Sequence, residues 1–338
     1  TPTELSTGRY YLAATTVGNY ALFGGGYAGG TNYRATVDAY DTSLTRTTPT
    51  ELSTARSSLA GASVGNYAIF GGGGAYYSAD SSKVDAYDTS LTKTTLAELS
   101  QVQISDLAAT SVGNYALFAG GSNSATVYAY DTSLTKTMPT ELSVARSSFA
   151  ATTIAPAGDS SPQSGYALFA GGGSYPVIID VYDTSLTRTT PTELSQGRYG
   201  LAATTVGNYA LFGGGFAYLG LVYDEYIGEY IEKYGNSSVV DAYDTNLTRM
   251  APTELSQARR NLAATSNGSY ALFGGGYGNG SSVVVDAYSL AFYDIQVFPE
   301  TKYNFNNSGE IFSDTMQTIN IQGPVVGYMK IKNTHVVG

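Results

Sequence analysis

One pattern of apolar and polar positions recurs along almost the whole chain. A run of small apolar residues is followed by Tyr-Ala-Leu/Ile-Phe, by a run of glycines, by an alternating segment ending in Tyr-Asp-Thr, and by Glu-Leu-Ser. Successive Glu-Leu-Ser segments lie 47, 47, 43, 52 and 61 residues apart. Repeats of this length are stable only when they stack on their neighbours, so the pattern predicts an array of supersecondary units. The six glycine runs begin at Gly24, Gly71, Gly120, Gly171, Gly213 and Gly274.

The second repeat shows how one unit is built. Residues 59–64 are small and apolar, which suits a crowded innermost strand, and Gly65-Asn66 is a strong two-residue hairpin signal before the apolar segment 67–70. Residues 84–87, Val-Asp-Ala-Tyr, alternate between inward and outward positions and predict a third strand, and residues 92–95 are polar and β-favouring, which predicts an outer fourth strand. Four antiparallel strands with the small residues innermost are typical of a β-propeller blade.

The same residues resemble the kelch family. A kelch blade carries a double glycine after its second strand, Tyr-Asp at the end of the third, Trp in the fourth, and Arg before the next inner strand. The glycines match in all six units, and the arginines match at Arg9, Arg56, Arg146, Arg198 and Arg259, with Gln103 in the third unit. Tyr-Asp matches five times, from Tyr40-Asp41 to Tyr243-Asp244, with Tyr288-Ser289 in the sixth unit. The Trp position is held by Thr47, Thr94, Thr137, Thr189 and Met250.

The resemblance implies an all-β fold, a six-bladed β-propeller of four-stranded blades over residues 1–298. From residue 299 the repeat is gone, and alternation predicts a short C-terminal β tail at 299–338. Residues 290–297 continue from the last third strand, and we expect them to fill the outer position of the sixth blade, with residues 1–6 beside them. A seven-bladed ring is the alternative if residues precede the first repeat. The tail alternates in three segments but is too short for a core of its own, so we expect it to dock on the propeller or on a neighbouring chain.

Composition narrows the range of partners. The net charge is -10, which argues against a nucleic-acid partner and against an anionic membrane surface. No stretch approaches the roughly 18 apolar residues of a membrane span. The chain has no cysteine and 30 tyrosines, so we expect a surface suited to hydrogen bonding and ring stacking.

The repeats differ most in one set of loops, those between the glycine run and the third strand. These loops share a propeller face with the connections that lead into the inner strands, and variable loops on a rigid frame usually carry recognition. The alternative is that the sequences of these loops vary only because no function constrains them. The candidate ligand-binding tyrosines are Tyr27, Tyr33, Tyr76, Tyr77, Tyr175, Tyr218 and Tyr277; their alternative role is to pack beneath their own loops.

Two further features have competing interpretations. Arg9, Arg56, Arg146, Arg198 and Arg259 predict either a ring for carboxylate-bearing ligands or, as the kelch framework position favours, a structural hydrogen-bonding role. The long loop at residues 223–234 predicts a short amphipathic helix or a hairpin that folds over the face or offers an apolar stripe to a partner.

Catalytic signatures are absent from the sequence. His335 is the only histidine, which excludes a Ser-His-Asp triad on the propeller, and kelch-type copper-radical oxidases need a cysteine and two histidines. We therefore predict no catalytic residue, metal or cofactor.

The sequence favours a non-enzymatic recognition or adhesion module on a cell or virion surface, binding glycan or protein through the variable-loop face. One alternative is a structural subunit of an extracellular fibre or virion that self-assembles through residues 299–338. The third, favoured least, is a polysaccharide-processing enzyme.

Overall fold

The computed structural model describes residues 2–75, 82–99, 105–155, 165–224 and 229–289. Within these ranges the chain forms β-strands, and six sheets follow one another in the order of the repeats. We number them repeat sheets 1 to 6. Sheet 1 contains β1 (Ala13–Val17), β2 (Tyr20–Gly24), β3 (Val37–Tyr40) and β4 (Arg46–Thr47); sheet 2 contains β5 (Ala60–Val64), β6 (Tyr67–Gly71), β7 (Val84–Asp88) and β8 (Lys93–Thr95); sheet 3 contains β9 (Ala108–Val112), β10 (Tyr115–Ala119), β11 (Val127–Asp131) and β12 (Lys136–Thr137).

The second half of the chain repeats the arrangement with one addition. Sheet 4 contains β13 (Ala150–Ile154), β14 (Tyr166–Ala170), β15 (Ile179–Asp183) and β16 (Arg188–Thr189). A small extra sheet is made of β17 (Arg198–Tyr199), β20 (Phe216–Asp224) and β21 (Glu229–Asn236); sheet 5 contains β18 (Ala202–Val206), β19 (Tyr209–Gly213), β22 (Val240–Tyr243) and β23 (Arg249–Met250). Sheet 6 contains β24 (Ala263–Ser266), β25 (Tyr270–Gly274) and β26 (Val285–Ser289).

Local sequence signals account for the turns. Val64 pairs with Tyr67, so Gly65-Asn66 forms a two-residue hairpin, and Gly65 takes the positive φ of 51° that such turns need at their first position. After the third strand, the Asp88 carboxylate accepts hydrogen bonds from the backbone amides of Ser90 and Thr92 at 2.8 and 2.9 Å. The four strands predicted in the second repeat are therefore confirmed, with bounds within a residue or so.

The sheets pack face to face in chain order. Their innermost strands β1, β5, β9, β13, β18 and β24 lie side by side in that sequence, and small residues let them approach. Each interface contains a buried apolar cluster from two neighbouring sheets; Leu22 and Val37 of sheet 1, for example, pack with Phe70 of sheet 2. The result is a β-propeller-like, all-β architecture, as the repeat predicts.

The third strands differ from the prediction at one position. Alternation places Asp85 on an outward face, but Asp85 is fully buried, as are Asp38, Asp180 and Asp241. The reason is an ion pair: the Arg56 guanidinium donates to Asp85 at 3.0 Å and to the carbonyl oxygen of Phe70 at 3.3 Å. The same pairing joins Arg9 to Asp38, Arg146 to Asp180, Arg198 to Asp241 and Arg259 to Asp286.

These pairs place the five arginines in the framework. Their side chains are 0 to 1% exposed, and each ties the connection entering a sheet to the second and third strands of that sheet. An open arginine ring facing a carboxylate ligand, one of the two interpretations of the sequence, does not agree with this burial. Among the described residues the third sheet has no such pair, and its third strand holds Tyr128 where the others hold Asp.

Two alternatives were predicted for the long loop, a short helix and a hairpin, and the structure shows the hairpin. β20 and β21 pair antiparallel from Phe216↔Asn236 to Asp224↔Glu229, with an irregularity between Tyr218 and Gly220. Residues 225–228 at its tip lie outside the described ranges.

The two ends of the repeat array differ from its middle in the segments that the structure describes. At the start, the Tyr40 hydroxyl donates to the carbonyl of Thr3 at 2.8 Å, as the Tyr87 hydroxyl does to Thr50 at 2.7 Å, so residues 2–6 occupy the position of an incoming connection. At the end, sheet 6 has three described strands. The predictions for Tyr76, Tyr77, Gln103, residues 290–297 and the tail 299–338 concern residues outside the described ranges.

Candidate functional site

The connections that lead into the inner strands share an unusual backbone conformation. One residue in each connection has a positive φ between 52 and 64°. The backbone amide of each such residue, from the second sheet on, donates to the carbonyl of the one before it, at 2.7 to 3.1 Å. Five hydrogen bonds thereby join six sheets on one face, which we call the entry face. The six residues are Tyr11, Ser58, Asp106, Ser148, Gly200 and Asn261.

A cavity of about 440 Å³ opens among these residues. Each sheet contributes its left-handed residue and the apolar residue that follows, such as Leu59 or Phe149. The lining therefore combines hydroxyl, carboxylate, amide and phenol groups with nearly buried aliphatic and aromatic side chains. Such a mixture can donate and accept hydrogen bonds while covering an apolar surface, and it suits a small polar ligand.

A band of aromatic rings lies on the same face beside sheets 4 to 6. Tyr175 lies 5.6 Å from Tyr199 and 5.4 Å from Tyr234, measured between ring centroids. Tyr199 in turn lies 5.6 Å from Phe216, and Tyr218 lies 5.4 Å from Tyr234. Aromatic rings at these separations stabilise one another and form a continuous surface.

Arg260 extends the band toward sheet 6. Its guanidinium carbon lies 4.7 Å from the Phe216 ring centroid and 5.5 Å from that of Tyr277, which are cation–π distances. Arg260 and Tyr277 are also joined by two backbone hydrogen bonds, of 3.0 and 2.8 Å. Since Asn261 lines the cavity, Arg260 links the band to the cavity rim.

Glu232 and partial desolvation raise the pKa of two tyrosines in the band. Its carboxylate accepts a hydrogen bond from the Tyr234 hydroxyl at 2.7 Å, and this bond, with partial desolvation, raises the pKa of Tyr234 to about 12. Desolvation among neighbouring rings also raises the pKa of Tyr175 above its usual value. Both hydroxyls are therefore neutral at physiological pH, so the tyrosine rings meet a ligand without phenolate charge.

A second aromatic cluster lies on the entry face of sheet 1. Tyr10 contacts Tyr11 and Tyr27 at centroid distances of 5.0 and 5.2 Å, and Tyr27 lies 5.0 Å from Tyr33. The Tyr27 hydroxyl donates to the carbonyl of Gly30 at 2.6 Å, which fixes the ring under its own loop. Tyr10 and Tyr11 remain half exposed or more.

The β20–β21 hairpin carries exposed apolar side chains beyond the band. Tyr223 and Tyr230 face each other across the two strands at 5.3 Å and are 51 and 69% exposed. They lie at the far end of the hairpin from Tyr218 and Tyr234. The far end of the hairpin is thus a surface separate from the band, while its near end contributes Phe216, Tyr218 and Tyr234 to the band.

The structure brings together some of the predicted tyrosines and separates others. Tyr175, Tyr218 and Tyr277 belong to the band with Arg260, whereas Tyr27 and Tyr33 form the sheet 1 cluster. Tyr76 and Tyr77 lie outside the described residues, and the side chains of the five framework arginines are buried.

Several residues of the site were not predicted from the sequence. Tyr234 was included only in a helical spacing, and its cross-strand position beside Tyr218 depends on hairpin register. Arg260 follows the framework Arg259, and this doublet occurs once in the chain, which is a usable signal. Asp106 and Asn261 were not predicted, because nothing in their residue types indicates that they line a cavity with a left-handed backbone.

Other chemistry is limited in the described ranges. No group of three or more His, Asp or Glu side chains there is arranged to hold a metal ion. The same ranges include no helix with the length and apolar character that a membrane crossing requires.

Comparison with known proteins supports the fold only. No family model matches the chain, and no curated protein matches it at a significant level. A solved structure described as "Structure of YjhT" superposes on 87% of this chain and 98% of its own, with a TM-score of 0.60. The two sequences are 15% identical, so the chain is similar to that structure in fold, and nothing about its activity follows.

Proposed function

We propose that this chain is a non-enzymatic recognition module that binds glycan through its entry face. The repeat sheets act as six kelch-like blades, and the connections between them present the ligand-binding surface. This assignment includes a location on a cell or virion surface, where glycans are displayed.

One observation carries the proposal: a continuous aromatic band borders a cavity rich in hydrogen-bonding groups. The rings of Tyr175, Tyr199 and Phe216 offer stacking surfaces, and Ser58 and Asp106 in the cavity offer a hydroxyl and a carboxylate. Sugar rings have an apolar face and equatorial hydroxyls, so they need this combination of stacking and hydrogen bonding. Tyr and Arg are also the side chains that supply most contact energy at recognition surfaces.

A glycan array with the purified full chain tests the proposal. Tyr175→Ala and Tyr199→Ala should each weaken binding of any hit by about 1–2 kcal/mol, or roughly 5- to 30-fold in Kd. Tyr223→Ala and Tyr230→Ala are matched controls, because they remove exposed tyrosines at the far end of the hairpin and should leave the Kd unchanged.

Three outcomes would contradict the proposal. The first is the absence of any glycan hit, and the second is a hit that loses affinity only in the hairpin controls, which would favour a protein-binding hairpin. The third is turnover of a glycan, which would revive the polysaccharide-processing alternative. The fibre or virion subunit depends on residues 299–338, which lie outside the described ranges, and no observation in those ranges favours it.

A further inference from the structure

The cavity of the entry face has one charged residue among the described residues that line it. Asp106 is that residue, and it takes the left-handed backbone position of the third sheet. Asparagine takes the same position in the sixth sheet, at Asn261, so the left-handed conformation does not require a negative charge. The backbone geometry therefore accounts for a short polar side chain at this position but not for its carboxylate.

Two serines flank Asp106 on the cavity wall. The Asp106 amide donates to the carbonyl of Ser58 at 3.1 Å, and the Ser148 amide donates to the carbonyl of Asp106 at 2.9 Å. The three residues therefore follow one another around the rim, and each of them lines the cavity. Along the wall, a carboxylate thus stands between two hydroxyl groups. We call Ser58, Asp106 and Ser148 the acceptor set.

The acceptor set has no partner within the described part of the chain. None of its side-chain oxygens forms a hydrogen bond or an ion pair with a described residue. The framework carboxylates differ in this respect, since Asp85 and Asp180 are fully buried and each is bound by an arginine. Asp106 is exposed, and Ser58 and Ser148 are half-buried, so all three are accessible to a ligand in the cavity.

A primary ammonium group matches these three acceptors. It carries three N–H donors and a positive charge, whereas a sugar hydroxyl carries one donor and no charge. A carboxylate binds such a cation through a charge-assisted hydrogen bond, which is stronger than a neutral one. Tyr11 on the same wall is 62% exposed, and the face of its ring attracts a cation. The net charge of -10 also favours a cationic ligand over an anionic one.

We propose that the cavity binds the free amino group of an amino sugar and that Asp106 is the residue that selects it. The ligand class is a glycan with hexosamine units that lack an N-acetyl group. The amine binds the acceptor set, and the neighbouring sugar rings stack on the aromatic band. N-acetylation removes the positive charge and leaves one N–H donor, so it weakens binding at this position. The inference rests on the proposed glycan-binding function and names the class of glycan.

Two matched oligosaccharides test this selection on the full chain. One is a β-linked glucosamine oligomer, and the other is the N-acetylglucosamine oligomer of the same length and linkage. In calorimetric titrations at about pH 6, where an alkyl amine is protonated, the glucosamine oligomer should have a Kd at least about tenfold lower. The ratio of the two Kd values should fall at high salt, because ions screen the attraction between the amine and an exposed carboxylate.

Substitution of Asp106 separates the effect of its charge from that of its shape. Asp106→Asn removes the charge and keeps a residue type that this backbone position accepts, as Asn261 shows. The Kd of the glucosamine oligomer should rise by about tenfold, and that of the acetylated oligomer should not change. Glu141→Gln is the matched control, since it removes an exposed carboxylate that does not line the cavity and should leave the ratio of the two Kd values unchanged.

Two results would refute amine selection and leave glycan binding in place. One is equal affinity for the two oligomers, and the other is a glycan that binds when neither oligomer does. If no glycan binds, the proposed function fails and this inference fails with it. The comparison of the two oligomers needs no substitution, so it decides the inference even if a variant does not fold.

Three further results would overturn the role of Asp106 or the ligand class. A preference for the amine that survives Asp106→Asn would place the amine at another site. A preference that is lost equally in Glu141→Gln would show a general effect of net charge. A lysine-containing peptide that binds as tightly as the glucosamine oligomer would show that the amine is recognised without a sugar ring, which favours a protein ligand.

Discussion

Asn261 and Gly200 form the last of the five backbone hydrogen bonds that join the sheets on the entry face. The amide of Asn261 donates to the carbonyl of Gly200 at 2.7 Å, and the Asn261 side-chain oxygen lies 2.6 Å from where a Cβ on Gly200 would be. Non-glycine residues take the same left-handed backbone at the other five positions of the series. At Gly200, therefore, the absence of a Cβ is required mainly by the neighbouring side chain.

This contrast gives a prediction for two glycines. A Cβ on Gly73, at φ 93°, would meet the backbone oxygen of Ser57 at 2.7 Å and Leu59 at 2.9 Å, so Gly73→Ala should lower the free energy of unfolding by about 1–3 kcal/mol. Gly200→Ala should cost less, since the Asn261 side chain can move. Gly8→Ala, where nothing lies within 4 Å, is the control. Urea denaturation measures all three, and equal effects at Gly73 and Gly200 would refute the argument.

The buried ion pairs give a second prediction. Arg198 and Arg249 both contact Asp241, at 2.9 and 3.1 Å, but the Arg198 side chain is fully buried and that of Arg249 is 30% exposed. Arg198→Ala leaves Asp241 buried without its main partner and should cost about 3–5 kcal/mol. Arg249→Ala removes a pair partly screened by solvent and should cost about 1 kcal/mol or less. Similar losses in thermal or urea denaturation would show that burial does not set the strength of these pairs.

A third prediction concerns the tyrosines that end the third strands. The Tyr87 hydroxyl donates to the carbonyl of Thr50 at 2.7 Å, whereas the equivalent hydroxyl of Tyr243 is buried and has no hydrogen-bond partner among the described residues. Tyr87→Phe should therefore destabilise the protein by about 0.5–1.5 kcal/mol, and Tyr243→Phe should be neutral or slightly stabilising. The two substitutions remove the same atom from equivalent positions, so each is the control for the other. A loss at Tyr243 matching that at Tyr87 would mean that both hydroxyls are bonded in solution.

Stability should fall at alkaline pH. Burial raises the pKa of Tyr87, Tyr130, Tyr182 and Tyr288 above the ordinary value of 10.0, because the folded protein disfavours phenolate. The stabilisation from these groups is complete below pH 10.0 and is lost as the pH rises toward the folded-state pKa, since the unfolded tyrosines ionise first. Urea midpoints measured between about pH 9 and 11.5 should decline, and Tyr182→Phe should make the decline shallower. A midpoint constant over that range contradicts the prediction.

The elements of the fold followed from local signals, and the partners of polar groups did not. Gly65-Asn66 and Asp88 fix turns through their own backbone and side-chain geometry, so the strands beside them were predicted within a residue or so. Asp85, in contrast, was predicted outward by strand alternation, and it is buried because Arg56, 29 residues earlier, reaches it. The sequence carried a trace of this pairing: the third repeat lacks both the Asp, replaced by Tyr128, and the Arg, replaced by Gln103.

Only part of the candidate site was predicted, because the rest of it depends on contacts between segments that are distant in the sequence. The variable loops of the entry face pointed to Tyr175, Tyr218 and Tyr277, which do share a surface. Tyr234 joins them only through the register of the β20–β21 hairpin, and Arg260 only through stacking on Phe216. The left-handed residues that line the cavity occupy one equivalent position of the repeat, but their meeting around one cavity depends on the packing of the six sheets.

The sequence by itself determined the repeat, the four strands of the first five units and the face on which variation is concentrated, because turn chemistry and apolar periodicity act over a few residues. Only the tertiary structure decided that the arginines are buried pairs, that Arg260 and Tyr234 complete an aromatic band, and that Asp106 lies between Ser58 and Ser148 on the cavity wall. These features depend on how neighbouring sheets pack against one another and on contacts between residues far apart in the chain. A pattern of apolar and polar positions over a few residues does not encode such contacts.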